Sequence, residues 1–369
     1  MSDDYPIRFF FGANTPDGFV GFHQTDLYDP RDGWAAFLIK SGAGTGKATF
    51  MRNIYDTLTA KGLQGEAIFC SSDPASLDAI VFRDIRLCVV DATAPHILEP
   101  VAYGECEQLV PFGCCLDPAV TLTQTAAWFD AADACAAAHR RCVRYLSAAA
   151  SIFEDDRRLQ REATDLHKVR EAATRFVKRE LADAPVARQA PVRRFLSAVT
   201  PAGPVFFEQT AAALCERVFV FEDPDGAASG AFLQEVLSQS VAVGQCPVVC
   251  PSPLAPHTHI DHLLWPSAGV CVLTHNRRHP VTLPAYRRIH AARFTDKTRL
   301  AERRERLRFG RRAADELLCE ACVASRLAKH HHDTMEQLHI SAMDWEQWRQ
   351  IADTAKRSIL RIADERRAL

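Results

Sequence analysis

The sequence predicts an α/β protein of two parallel-sheet domains, related by an internal duplication and each followed by a long helical hairpin. Three observations predict this fold: short apolar runs alternate with helical patterns, Ala-rich charged stretches follow them, and the order of motifs recurs in the second half. The chain has 369 residues, 47% hydrophobic and 24% charged, so it is long enough for two domains and has an ordinary globular composition.

Charge and hydropathy argue against several classes of protein. Lys and Arg number 44 against 46 Asp and Glu, so the net charge of −2 gives no overall attraction to nucleic acid or to an anionic membrane. No stretch approaches the ~18 apolar residues of a spanning helix, and the acidic start MSDDY does not resemble a signal peptide. Several of the 13 cysteines lie in apolar runs, which predicts free buried thiols rather than disulfides. We therefore expect a soluble cytoplasmic protein with no membrane partner.

The first half predicts one sheet and one helical hairpin. Its successive segments WAAFLIK, ATFMRNIYDTLTAKG, GEAIFC, SLDAIVFRD and RLCVVD alternate in a way that predicts βαβ units and a parallel sheet, in a domain of residues 1–117. The stretch that follows is Ala-rich and charged with few Gly or Pro, which predicts two long antiparallel helices. Together with a Pro-containing linker, they occupy residues 118–190.

The second half repeats the same order of motifs. The pattern TPxG occurs at 15–18 and again at 200–203, and FLIKSGAGTGKATFM (37–51) aligns without gaps on FVFEDPDGAASGAFL (219–233). This repeat predicts a second α/β domain at residues 191–293 and a C-terminal helical hairpin at 294–369. The alternative is two unrelated α/β pieces whose strands and helices share the same periods.

The motif SGAGTGKAT (41–49) lies between an apolar strand and an amphipathic helix, which is the context of a phosphate-binding loop. Small residues let backbone N–H groups converge on phosphate, the helix N-terminus adds its positive dipole end, and Lys47 reaches the β and γ phosphates. The predicted nucleotide-binding residues are Gly42, Ala43, Gly44, Thr45, Gly46, Lys47, Ala48 and Thr49. The alternative is a Gly-rich turn before a helix.

Two residues depart from the pattern GxxxxGK[ST]. Ser41 occupies the first Gly position, and Ala48 stands where Ser or Thr would give its hydroxyl to Mg²⁺. Thr49, one residue on, would still bond the α-phosphate side, but it need not reach the metal, because a helix advances about 100° per residue. ATP is the expected ligand because the rest of the loop fits the pattern, and Ala48 weakens the case for Mg²⁺.

Asp91 ends the apolar strand LCVVD, where a carboxylate would face the phosphates. It is predicted to bind Mg²⁺ through water and to be catalytic together with Lys47. The alternative is an Asp that caps the turn DATAPH. Because Ala92 follows where motor-type ATPases carry a water-activating Glu, slow turnover or a kinase-like geometry is expected.

Five further residues are candidates for binding a substrate. Ser71, Ser72, Asp73 and Asp78 belong to the segment CSSDPASLD, and His96 follows Asp91 by five residues. The first four would bind substrate or position a nucleophile, although the same residue types also form turns and helix caps. His96 would contact phosphate or act as an acid or base, and the alternative for it is a structural histidine.

The second copy lacks the features that bind phosphate. Ser229 occupies the position of Lys47, and Asp223 that of Ser41. An Asp in the loop repels phosphate, and without the lysine nothing offsets its charge. The second copy is expected to keep the fold without binding a nucleotide.

Two other patterns suggest binding functions that the sequence favours less. Residues 287–312 hold 11 Lys or Arg against three acids and would suit a nucleic-acid backbone, but the Glu and Arg spacing favours a solvated helix. Cys319 and Cys322 precede His330, His331 and His332, all of them metal-ligand types. The three successive histidines fan out around a helix, which favours a structural role.

The segments FFFGANTPDGF, FLIKSGAGTGKATFM, FCSSDPASLDAIVFRD and VVDATAPH, with a second copy, resemble a family of uncharacterised bacterial two-repeat phosphate-loop proteins, generally labelled ATPases or nucleotide-kinase-like. The resemblance covers nearly the whole chain. It implies P-loop NTPase-like domains and ATP binding at Gly42, Gly44, Gly46, Lys47 and Thr49, with Asp91 nearby, and it implies no substrate. The family's loop reads GGPGTGKST, and its second repeat often keeps a loop of its own.

The expected function is ATP binding at the N-terminal site alone, with slow hydrolysis or phosphoryl transfer. One alternative is a non-hydrolysing nucleotide sensor whose helical hairpins bind a protein partner. A nucleic-acid-associated ATPase is the third and least favoured.

Overall fold

The computed structural model describes residues 5–186 and 190–368 and has an α/β fold with two six-stranded mixed sheets, each followed by long helices. The acidic N-terminus and residues 187–189 of the predicted linker lie outside the described residues. No helix in the described part holds an apolar stretch long enough to cross a membrane.

The first half contains eight strands and two helices before the long helical region. They are β1 (Ile7–Phe9), β2 (Gly12–Thr15), β3 (Gly18–Gly21), α1 (His23–Asp26), β4 (Ala35–Ile39), α2 (Lys47–Ala60), β5 (Glu66–Phe69), β6 (Leu77–Phe82), β7 (Leu87–Asp91) and β8 (Glu107–Val110). Six strands form a sheet in the order β1-β5-β6-β7-β4-β8, and β2 pairs with β3 separately. Helices α3 (Pro118–Thr123), α4 (Thr125–Glu162) and α5 (Leu166–Glu180) follow.

The second half has the same plan. Its elements are β9 (Val192–Arg193), β10 (Ser197–Thr200), β11 (Gly203–Phe206), α6 (Gln209–Leu214), β12 (Arg217–Glu222), α7 (Ala227–Ala242), β13 (Val248–Ser252), β14 (Ala255–Trp265), β15 (Val270–His275), β16 (Arg287–His290), α8 (Lys297–Glu302), α9 (Arg304–Ala342) and α10 (Trp345–Arg367). The sheet order is β16-β12-β15-β14-β13-β9, and β10 pairs with β11.

The prediction of wholly parallel sheets is wrong. In the first sheet β4 lies parallel to β7 and β8, but β6 runs antiparallel to both β5 and β7. The segment SLDAIVFRD, placed in a strand–helix alternation by the sequence, forms β6, and only residues 83–86 separate it from β7. A parallel connection needs a crossover of a dozen or more residues, so this short turn requires an antiparallel pair. β14 is antiparallel to its neighbours in the second sheet in the same way.

Matching contacts in the two halves support the duplication. Thr15 Oγ1 donates to Gly18 O over 2.8 Å, and Thr200 Oγ1 donates to Gly203 O over 2.7 Å. Two matching pairs of backbone hydrogen bonds also each join the start of one long helical segment to another. In one, Asp117 N donates to Ala342 O and Asp344 N to Cys115 O, and in the other, Asp296 N donates to Ala163 O and Asp165 N to Phe294 O. Unrelated α/β pieces would share strand and helix periods but not these individual contacts.

The chain divides into two compact units that are not consecutive segments. One unit contains the described residues of Met1–Gly12, Gly21–Arg141 and Val323–Leu369, and the other contains Ala13–Val20 and Cys142–Cys322. Helix α10 therefore belongs with the first sheet, where Trp348 packs on Phe112. Helix α5 belongs with the second sheet, where Phe176 packs on Phe219 and Phe232. A division into consecutive domains does not describe these units.

Candidate functional site

The Gly-rich motif forms a loop of residues 41–46, called the first loop here, between β4 and α2. Strand β4 is buried along its whole length, so the position at which the loop leaves the sheet is fixed by the core. Gly44 and Gly46 have φ values of 72° and 80°, in the left-handed region where glycine is favoured, and Gly46 caps α2.

The first loop contains backbone donors that have no partner among the described residues. Within residues 5–186 and 190–368, the N–H groups of Gly42, Ala43, Gly44 and Gly46 donate no hydrogen bond. They precede the N-terminus of a 14-residue helix, where the helix dipole adds positive potential. Unpaired amides at such a position suit an anion.

Lys47 and Asp91 lie together at this loop. Residue Ile39 of β4 pairs with Asp91 of β7, so the two strand ends are adjacent. Lys47 Nζ donates to Gly42 O and lies 3.4 Å from Asp91 Oδ2, and both side chains are 14% exposed. Asp91 Oδ1 accepts a hydrogen bond of 3.0 Å from Thr93 N. The predicted lysine and carboxylate are thus neighbours, and the same Asp also caps the turn that follows it.

The first loop packs against helices α9 and α10. His339 Nδ1 lies 2.9 Å from Ala43 O. A Cβ added at Gly44 would lie 2.6 Å from the carbonyl oxygen of Glu336, and one at Gly46 would lie 3.1 Å from the Trp348 ring. The contact with helix backbone therefore requires glycine at position 44, whereas at position 46 the Trp348 ring would have to shift by a few tenths of an ångström. Sequence reasoning missed these helix contacts, and no local motif marks residues that lie nearly 300 positions away.

The first loop offers an incomplete ligand set for Mg²⁺. Asp91 supplies a carboxylate, the ligand type that Mg²⁺ prefers. Ala48 supplies no oxygen, Thr49 is exposed, and the Thr45 hydroxyl donates to Gly42 O over 3.0 Å. A metal bound here would rely on Asp91, water and the phosphates themselves.

The candidate substrate residues fall into two groups. Ser71, Ser72 and Asp73 belong to a turn, in which Asp73 accepts from Ala75 N over 3.2 Å and lies 3.4 Å from Lys329 Nζ. The Ser71 hydroxyl is buried and, within the described part of the chain, makes no hydrogen bond.

Asp78 and His96 form the second group and meet, with Asp78 Oδ2 3.3 Å from His96 Nε2. The ring of His23 lies 4.4 Å from that of His96, between centroids, and sequence reasoning missed this residue. Burial, and then the neighbouring His96, lowers the pKa of His23 well below its usual value, so its imidazole is neutral at pH 7. Burial raises the pKa of Asp78, against the effect of His96.

The loop of the second half, residues 223–226, is called the second loop. Its φ at Gly226 is 80°, and α7 begins directly after it, which is two residues earlier than α2 in the gapless alignment. Asp223 is buried, and its carboxylate accepts from Ser229 N over 2.8 Å and from Asp225 N over 3.4 Å. Burial raises the pKa of Asp223, while these backbone donors oppose the rise. In the second loop a side-chain carboxylate thus takes the donors that an anion would need.

The basic stretch 287–312 is partly neutralised by acids. Several of its arginines form ion pairs in the second compact unit: Arg288 with Glu222, Arg303 with Glu162, Arg306 with Asp155, and Arg311 with Asp225. These pairs leave less positive charge for a nucleic-acid backbone. Farther along α9, the ligand-type group found among the described residues is His332, Asp333 and Glu336, and it includes neither Cys319 nor Cys322.

Comparisons with known proteins add no assignment. No protein-family model, curated protein or solved structure matches the chain. The function is therefore inferred from the first loop, its lysine and its neighbouring carboxylate.

Proposed function

We propose that the first loop binds the phosphates of ATP and that the second loop binds no nucleotide. The observation that carries this proposal is the set of unpaired N–H groups of Gly42, Ala43, Gly44 and Gly46 next to Lys47. Backbone donors, a helix N-terminus and a lysine are the elements from which phosphate-binding loops are built. The resemblance to two-repeat phosphate-loop proteins remains part of the proposal.

In the proposed complex, Lys47 contacts the β and γ phosphates, and the loop amides hold the oxygens between them. The phosphate replaces Gly42 O as the partner of Lys47, while Asp91 keeps the lysine oriented. A Mg²⁺ that arrives with ATP would neutralise phosphate charge next to Asp91. Any reaction at this site is phosphoryl transfer, which is either a slow transfer to water or a transfer to an acceptor molecule.

A second candidate function is a nucleotide sensor that binds ATP without consuming it. Ala48 favours this candidate because it removes the hydroxyl that phosphate-loop enzymes use to hold Mg²⁺. In this function the long helices contact a protein partner.

ATP titration by calorimetry tests the proposal. We expect one site per chain, and Lys47→Ala to weaken binding by a factor of about 10 to 150, because a hydrogen bond to a charged group contributes ~1.5–3 kcal/mol. Lys61→Ala is the matched control, since Lys61 follows the same helix and pairs with Asp364, and it should leave the affinity unchanged. Two equivalent sites, or unchanged affinity in Lys47→Ala, would contradict the proposal.

Phosphate release in the same samples separates the two candidate functions. We expect wild-type turnover to be slow and to rise in Ala48→Ser, which restores a metal-binding hydroxyl. Release that is absent in the wild type and present in Ala48→Ser identifies a sensor. Robust Mg²⁺-dependent release in the wild type identifies an enzyme.

A further inference from the structure

Three buried side chains beside the first loop are not used by the phosphate site proposed above. His23 begins α1, Asp78 lies in β6 and His96 follows β7, and they are 5%, 5% and 7% exposed. One ligand-type atom from each lies within 4.8 Å of the others. Buried polar groups normally pair with one another or bind an ion, so this group needs an explanation.

The antiparallel arrangement of β6 brings these residues together. Ala79 of β6 pairs with Val90 of β7, so Asp78 lies at the end of β7 that carries Asp91. His96 follows Asp91 by five residues and returns to the same end of the sheet. His23 is placed by the start of α1, where Phe22 N donates to Phe11 O over 2.8 Å.

We propose that His23, Asp78 and His96 bind a divalent transition-metal ion. Asp78 Oδ2 and His96 Nε2 are 3.3 Å apart, and two ligands ~2.0–2.1 Å from one tetrahedral ion are separated by about this distance. Within the described residues, His23 Nε2 and Asp78 Oδ2 are buried and make no hydrogen bond. Both atoms are therefore available to a cation.

The chemistry of the three ligands selects the class of ion. Two imidazole nitrogens and one carboxylate oxygen suit Zn²⁺, Fe²⁺, Co²⁺ or Mn²⁺, whereas Mg²⁺ and Ca²⁺ prefer oxygen alone. Three protein ligands leave at least one coordination position open. Asp78 and Asp91 lie at the same end of the neighbouring strands β6 and β7, and Asp91 contacts Lys47, so the cluster lies next to the first loop. The site does not depend on nucleotide binding.

The second half keeps only part of this cluster. The ladder pairs Leu263 with Val272 where the first half pairs Ile80 with Val89, so Asp261 takes the place of Asp78. His279 takes the place of His96, with its Nε2 3.9 Å from Asp261 Oδ2. The position of His23 holds Glu208, whose carboxylate instead accepts from Thr282 N over 2.7 Å. Asp261 Oδ1 also lies 3.5 Å from His259 Nε2, but among the described residues these side chains do not bring three ligand atoms within 4.8 Å of one another. Asp261 therefore provides a control with the same residue types in a wider arrangement.

The test is a Co²⁺ titration of the full chain without nucleotide, followed by the visible absorption of bound Co²⁺ and by thermal melting. A His332→Ala background removes the partly exposed group of His332, Asp333 and Glu336. We expect one Co²⁺ per chain and a higher melting temperature with Co²⁺ but not with Mg²⁺. Asp78→Asn and His23→Gln should each weaken Co²⁺ binding by at least ~100-fold, and Asp261→Asn should leave it unchanged.

Melting in metal-free buffer shows whether each variant is folded. If a variant does not fold, the proposal is tested by the number of Co²⁺ ions that each His332→Ala chain binds and by the shift in its melting temperature. The proposal is overturned if the His332→Ala protein gains no stability from Co²⁺, or if folded Asp78→Asn and His23→Gln bind Co²⁺ as tightly as their background does. Because ATP is absent, these outcomes are independent of the ATP titration.

Discussion

Ser41→Asp is expected to abolish ATP binding without lowering the melting temperature of the nucleotide-free protein. Asp223, the aligned residue of the second loop, accepts hydrogen bonds from Ser229 N and Asp225 N. A carboxylate in the first loop would occupy the donors that phosphate needs and would also repel phosphate. Losing two or more charge-assisted hydrogen bonds, at ~1.5–3 kcal/mol each, corresponds to an affinity loss of about 150-fold or more. Calorimetry with ATP and thermal melting measure the two effects.

Ser41→Asn is the control because it matches the shape of Asp without its charge. We expect it to reduce ATP affinity by no more than about tenfold, since a neutral hydrogen bond contributes ~0.5–1.5 kcal/mol. Equal losses of ATP affinity in the two variants would show that side-chain bulk, and not charge, prevents phosphate from binding. Unchanged ATP binding in folded Ser41→Asp would mean that the loop amides are not the phosphate site.

The sequence predicted the α/β class and the common order of elements in the two halves because both depend on patterns that survive along the chain. Strand β4, helix α2 and strand β7 each carry their own apolar period, and the TPxG turn recurs with the same hydrogen bonds. The neighbouring positions of Lys47 and Asp91 followed from the rule that parallel strands end at one edge of a sheet.

Strand direction and distant packing escaped the sequence for physical reasons. The burial of β6 along its whole length hides the alternation of a strand, so only the short turn to β7 reveals its antiparallel direction. The cluster at Asp78 depends on that direction, and His23 joins it from another element. His339 and Glu336 reach the first loop through a helix nearly 300 residues later, which no local motif encodes.

Gly44→Ala is expected to destabilise the protein through backbone strain and through contact with helix α9. Its φ of 72° makes alanine strained by ~1–2 kcal/mol, and the added Cβ would lie 2.6 Å from the carbonyl oxygen of Glu336. Because that neighbour is helix backbone, relieving the contact costs a further ~1–3 kcal/mol. We expect a total of about 3 kcal/mol.

Gly62→Ala separates backbone strain from the helix contact. Gly62 has a φ of 85°, but a Cβ there would meet nothing within 4 Å, so only the strain of ~1–2 kcal/mol applies. The melting temperature of Gly44→Ala should lie several degrees below that of Gly62→Ala, because each kcal/mol lowers it by ~2–4 °C in a folded unit of about 150–250 residues. Equal melting temperatures would mean that α9 does not press on the first loop in solution. In that case the left-handed backbone, rather than helix packing, would be the physical reason for glycine at position 44.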